Sequence, residues 1–151
     1  DTAIELGATH GVNVAQEKLE DVTDDLGGAN LVFEASGTVP AKRSAVRAAA
    51  SRGEVLLVGT SPAEVSFDGA LFERISRKEI VLRGSWMNYS PPWPGPEWTT
   101  AAWLLEHGHI TDSAIFTHEY PLSRGTEAFD LIREEAEPYV KVLLAVHPEQ
   151  S

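Results

Sequence analysis

Leu31-Val32-Phe33-Glu34-Ala35-Ser36-Gly37-Thr38 is an apolar run that stops in a small-residue turn. The same pattern returns at Glu54-Val55-Leu56-Leu57-Val58, closed by Gly59-Thr60-Ser61-Pro62, and at Glu79–Leu82, closed by Gly84-Ser85. The runs are continuously apolar rather than alternating. That predicts buried strands of a parallel sheet with helices on both faces. The intervening segments supply the helices. Pro40–Ser51 is alanine-rich, has proline in its first turn and is ended by Gly53. Leu71–Arg77 suits one to two turns, and Val65 and Phe67 alternate as a short edge strand does. The fold class is therefore α/β. Three strand ends of one parallel sheet line one crevice, which is where ligands bind in open α/β sheets.

Beyond Gly84 the character changes. Three of the four tryptophans and four of the nine prolines fall between Trp86 and Trp98. Prolines at 91, 92, 94 and 96 forbid helix and deny a ladder its N–H groups. A rigid aromatic loop after a buried strand suits the edge of a binding site; the plainer alternative is a hydrophobic turn packed on the core. Gly95-Pro96 then opens a helix to about His107, with Trp98, Ala101, Leu104 and Leu105 as its apolar stripe. Ile115–Leu122 reads as extended, Ser123 as the cap of a helix through Ile132, and Val140–Val146 as a last strand.

At the other end, Asp1–Gly7 reads as the last turns of a helix whose beginning is missing, which suggests a fragment. A short strand is possible at Gly11–Val14. Glu17–Leu26 suits a polar helix or loop, and Gly27-Gly28-Ala29-Asn30 is turn chemistry.

The 151-residue chain is 42% hydrophobic and 23% charged, as soluble globular proteins are. Its formal charge of −11 argues against nucleic acid and anionic membranes as partners. No signal peptide is expected. The absence of cysteine excludes disulfides and Cys-ligated zinc within the chain and fits a cytoplasmic location. Gly27-Gly28 precedes a strand, so it is not a dinucleotide phosphate loop. Ser36, Ser61 and Ser85 lack the Gly-x-Ser-x-Gly elbow of a hydrolase. His107 and His109 stand two apart, a poor metal pair on a helix. Lys141 lies among apolar residues and either snorkels or contacts an anion.

Leu6-Gly7-Ala8, Leu31–Gly37, Gly53–Gly59, Arg77–Trp86 and Lys141-Val142-Leu143-Leu144 together resemble the C-terminal half of a zinc-dependent medium-chain dehydrogenase/reductase, the alcohol/sorbitol dehydrogenase superfamily. The loop from Gly84 to Trp98 is similar to the sugar-phosphate branch of that family. The resemblance implies a partial Rossmann-like parallel sheet with flanking helices over residues 1–96, and a segment over 97–151 that returns to the catalytic domain. It implies NAD or NADP as cofactor, with Ser36, Gly37 and Thr38 on the adenosine side. Val58, Gly59, Ser85 and Met87 would lie at the nicotinamide and Lys141 near the phosphates. The Val58 and Ser85 carbonyls and the Met87 N–H would meet the carboxamide. Zinc would polarise the alcohol of a polyol or sugar phosphate, its ligands lying outside this chain, so no catalytic or metal-ligating residue is assigned here. A homodimer or tetramer, paired through the strand around Ile80–Arg83, is also implied. The alternatives are a zinc-free quinone/alkenal-type reductase of the same superfamily and a non-catalytic dimerising remnant of the fold.

Overall fold

The computed structural model describes residues 2–86, 92–110, 115–134 and 136–146. They divide into two compact units, Thr9–Tyr89 and Asp1–Ala8 with Ser90–Ser151. In the second unit a short helix α1 (Thr2–Glu5) is followed by Gly7 at φ 100°, the left-handed stop expected of glycine after a helix.

The unit Thr9–Tyr89 contains α2 (Leu19–Asp25), β1 (Ala29–Glu34), α3 (Val39–Ala48), β2 (Ala49–Leu57), α4 (Gly69–Arg77) and β3 (Val81–Gly84). Its sheet has the order β1-β2-β3, every pair parallel. Helix α3 starts where the Thr38 hydroxyl accepts from the Ala41 N–H, with Pro40 in the first turn. Asp68 caps α4 in the same way through the Leu71 N–H at 2.8 Å. The core is Ala45, Val46, Ala49, Val55, Leu71 and Ile80, with Val32, Leu57, Phe67 and Ile75 packed against it. Arg74 of α4 donates to the carbonyls of Val46, Arg47 and Ala49, satisfying acceptors that the end of α3 leaves open.

Four local expectations need correction. The alanine-rich helix ends at Ala48, and Ala49-Ala50-Ser51 belong to β2. The cause is a bulge: Ala29 pairs with Ala49, but Leu31 pairs with Glu54. Arg52 sits at φ 62° within it, and a Cβ on Gly28 would come within 2.7 Å of Ala50 Cα. Burial of Ala49 and Ala50 in that packing outweighs alanine's helix propensity. Secondly, Val65–Phe67 is no strand; Phe67 packs on the core from a loop. Nor is Gly11–Val14 a strand. Finally, the strands are less buried among the described residues than expected. Leu31, Phe33 and Val81 are exposed, and β3, expected to be buried, has no buried residue.

In the other unit, α5 (Pro96–Glu106) is followed by β4 (Phe116–Pro121), a single 3₁₀ turn Leu122–Arg124, α6 (Gly125–Glu134) and β5 (Lys141–Ala145). Strands β4 and β5 are parallel, joined through α6, whose Ala128 and Leu131 are buried. Trp93 and Trp98 meet edge to face at 4.9 Å. His107 and His109 both stack on Trp103, at 4.5 and 4.9 Å between ring centroids. None of the helices described is long and apolar enough to cross a membrane.

The burial pattern separates two otherwise similar truncations. Leu71→Ala should lower unfolding stability by about 3 kcal/mol, as large-to-small core changes do. Phe33→Ala should cost less than about 1 kcal/mol. Urea titration of the two variants checks this; equal losses would mean that the face carrying Phe33 is covered.

Candidate functional site

The strand register decides where a site forms. Glu34 of β1 pairs with Leu57 of β2, and Leu57 pairs with Gly84 of β3. All three strands therefore end level, and their turns lie side by side. This brings Ser36, Gly37, Thr38, Val58, Gly59 and Ser85, all expected at a cofactor, to one end of one sheet. Two clefts open there. One, of about 540 Å³, is lined on its apolar side by Val14, Leu19, Val32, Phe33 and Pro40, with Glu34, Ser36, Thr38 and Ser44 as polar groups. The other, of about 430 Å³, is lined by Leu57, Val58, Gly59, Thr60, Gly84, Ser85 and Trp86. A mostly apolar cleft with a few fixed polar groups is the usual form of a small-molecule site.

Close backbone approach holds the turns in place. A Cβ on Gly59 would come within 2.6 Å of Gly37 Cα, and one on Gly37 would collide with the Thr60 carbonyl. Gly37 also has φ 75°, which disfavours any side chain. A Cβ on Gly84, which lines the second cleft, would meet no atom of the described residues within 4 Å. The two glycines thus differ in their surroundings: Gly59 abuts the neighbouring turn, and Gly84 abuts no described residue. The Ser85 N–H donates to the Leu57 carbonyl at 3.0 Å and fixes the start of the last turn. Among the described residues no backbone N–H outside the strands and helices donates to the Val58 or Ser85 carbonyl.

Beneath the first turn lies a buried ion pair. Glu34, the last residue of β1, is 2% exposed at its side chain, and its Oε2 accepts from Lys42 Nζ at 3.0 Å. Its Oε1 accepts from the Ser36 hydroxyl at 2.9 Å and the Gly37 N–H at 2.8 Å. Lys42 Nζ also donates to the Gly59 carbonyl at 2.8 Å. Burial alone would push the Glu34 carboxyl up; the bonds from Lys42, Ser36 and Gly37 together outweigh it and hold the carboxyl below the ordinary range. Sequence reasoning passed over both residues. The signals were a glutamate inside an apolar strand and a lysine sharing the helix face of Ala45 and Val46, three and four residues on.

Two further residues were expected at the cofactor. Met87 falls outside the described residues. Lys141 opens β5 in the other unit, its N–H bonded to the Ile115 carbonyl and its side chain exposed. The chain has no cysteine, and among the described residues no group of three or more His, Asp or Glu is placed to hold a metal.

With this geometry in view, comparison with known proteins is decisive. A family model for zinc-binding dehydrogenases matches residues 1–104. The chain belongs to the zinc-binding dehydrogenase family. It is 35% identical over 127 residues to galactitol 1-phosphate 5-dehydrogenase of Escherichia coli K12, covering 84% of this chain and 36% of that protein. The crystal structure of galactitol-1-phosphate dehydrogenase from Escherichia coli superposes with a TM-score of 0.82 at 32% identity, covering 93% of this chain and 41% of that one. A protein assigned as a zinc-binding dehydrogenase from Sinorhizobium meliloti 1021, solved bound to NADP, gives 0.74 at 25% identity, covering 94% and 40%. The fold is thus the Rossmann-like C-terminal region of this family, as expected. The chain spans little more than a third of the curated relative's length.

Two outcomes follow from the site. Gly59→Ala should destabilise the fold by about 2–3 kcal/mol, the cost of forcing atoms into a packed contact, while Gly84→Ala should be nearly neutral; thermal melts of both variants check the contrast. The second concerns pH. The depressed native value means that Glu34 contributes stability above the unfolded carboxylate range, ~4.3, and loses it as pH falls through the native value. The stability gap between wild type and Glu34→Gln should therefore shrink on acidification; urea melts showing a constant gap would contradict this.

Proposed function

We propose that this chain is the C-terminal part of an oxidoreductase that transfers a hydride between the alcohol of a polyol or sugar phosphate and a nicotinamide cofactor. One observation carries the reading: three parallel strands end level beside two clefts whose walls include Ser36, Thr38, Val58, Gly59 and Ser85. The similar galactitol-1-phosphate enzyme supports the substrate class, and the NADP-bound relative supports the cofactor. A bound nicotinamide would supply the carbon that takes or gives the hydride. The chain's own residues bind and orient it. The turn Ser36–Thr38 takes the adenosine side, the Val58 and Ser85 carbonyls accept from the carboxamide, Met87 donates to it, and Lys141 answers the phosphates. Backbone groups at strand ends suit this task because the sheet already fixes their direction.

Residues 1–96 would belong to the dinucleotide domain and 97–151 to the catalytic domain. Zinc, for which the described residues offer no cluster of ligands, would be held by residues outside this chain. The chain alone would then show neither dehydrogenase turnover nor stoichiometric zinc. The reading includes a homodimer or tetramer paired at Ile80–Arg83, supported by the exposure of Val81 and Leu82 on the outermost strand.

Gly84→Val tests the assignment of the second cleft. Among the described residues no atom lies within 4 Å of a Cβ at this position, and the residue lines the cleft. In the complete gene product, affinity for NADH or NADPH should fall at least about tenfold with an unchanged melting temperature. Undiminished binding by the folded variant would overturn the assignment.

A further inference from the structure

A buried ion pair is a poor way to gain stability. Desolvation of two charges offsets much of their attraction, and an apolar pair of similar volume often serves as well or better. The Glu34–Lys42 pair must therefore be judged by what it holds. Glu34 bonds in two directions at once. Its backbone carbonyl accepts both the Val58 and Gly59 N–H groups, each at 2.9 Å. Its carboxylate accepts the Gly37 N–H, and Lys42 closes the ring by donating to the Gly59 carbonyl. The ring runs from Glu34 to Lys42 to Gly59 and back to Glu34. It spans the turn after β1 and the turn after β2, one at each of the two clefts. Two methyl-bearing side chains would fill the same space but supply neither the carboxylate for the Gly37 N–H nor the ammonium for the Gly59 carbonyl.

We propose that Lys42 and Glu34 are positioning residues that clasp the two turns together and fix the separation of the two clefts, so that a ligand spanning both meets walls in constant register. This rests on the reading of the strand ends as a dinucleotide crevice. Neither residue touches the reacting atoms. The clasp acts through Gly37 and Gly59, and its effect is greatest for a ligand that occupies both clefts at once.

Two measurements test this. In the 151-residue chain, amide exchange followed by NMR should show the Gly37 and Gly59 N–H groups exchanging about tenfold faster in Lys42→Met than in wild type, with the core amide of Val55 changed far less. Should Lys42→Met not fold, the wild type still decides. Its Gly37 amide proton shift should move with pH as Glu34 titrates, and this movement should be absent in Glu34→Gln. In the complete gene product, Lys42→Met should weaken NADH or NADPH about tenfold and AMP less than about twofold. Unchanged Gly37 and Gly59 exchange, a Gly37 shift that ignores pH, or equal losses for AMP and the dinucleotide would each overturn the clasp. A wild-type gene product that binds no dinucleotide would instead remove the functional reading, while the exchange result would still decide the clasp.

Discussion

The crevice depends on two turns touching backbone to backbone. A Cβ on Gly59 would run into Gly37 and one on Gly37 into Thr60, and this contact sets how far apart the ends of β1 and β2 lie. Such an approach leaves peptide groups facing one another without water, and each needs a partner. The Glu34 carbonyl and carboxylate, together with Lys42 Nζ, supply those partners. Charge appears at this point in an otherwise apolar layer because the turns contain more orphaned polar groups than their own backbone can pair. Among the described residues no buried side-chain polar atom is left without a partner, so the burial of two charges leaves no unpaired group behind.

Much of this was legible in the sequence. Continuous apolar runs closed by small residues marked the parallel strands and their level ends, because a strand buried beside its neighbours needs no polar alternation. The start of β2 was not legible. Ala49 and Ala50 look helical by propensity, and only the bulge packed on Gly28 makes them strand. Nor does a run such as Leu31–Phe33 say which of its faces has a cover; that depends on elements far away in sequence. Lys42 could be seen to share the inward face of α3, but its partner could not, since the distance from helix to strand end is a tertiary quantity.

The uncovered surfaces carry meaning of their own. Leu31 and Phe33 on β1, and Val81 and Leu82 on β3, place apolar side chains at both borders of a three-stranded sheet. Exposed edges of this kind invite pairing, and native proteins cover or blunt them. Little blunting is present: Arg83 pairs with Glu54 across the sheet at 2.5 Å, the one charge that β3 itself contributes. Galactitol 1-phosphate 5-dehydrogenase, of which this chain matches 36%, has more polypeptide with which to cover such a sheet. In the proposed reading the β3 border receives a second subunit.

Gly59 and Gly84 show how far residue type alone carries an inference about a site. Both follow an apolar run, and both invite the same explanation, that a ligand needs the space. Only the backbone separates them: at Gly59 the space belongs to the neighbouring turn, whereas at Gly84, in the wall of the cleft, no described residue claims it. A glycine of the first kind preserves the fold, and replacing it disturbs every function by disturbing the scaffold. A glycine of the second kind preserves access, and replacing it touches only what enters. Gly84 therefore reports on the ligand and Gly59 on the frame that presents it, and a loss of binding is attributable to the site only when Gly84 shows it without the instability that Gly59 brings.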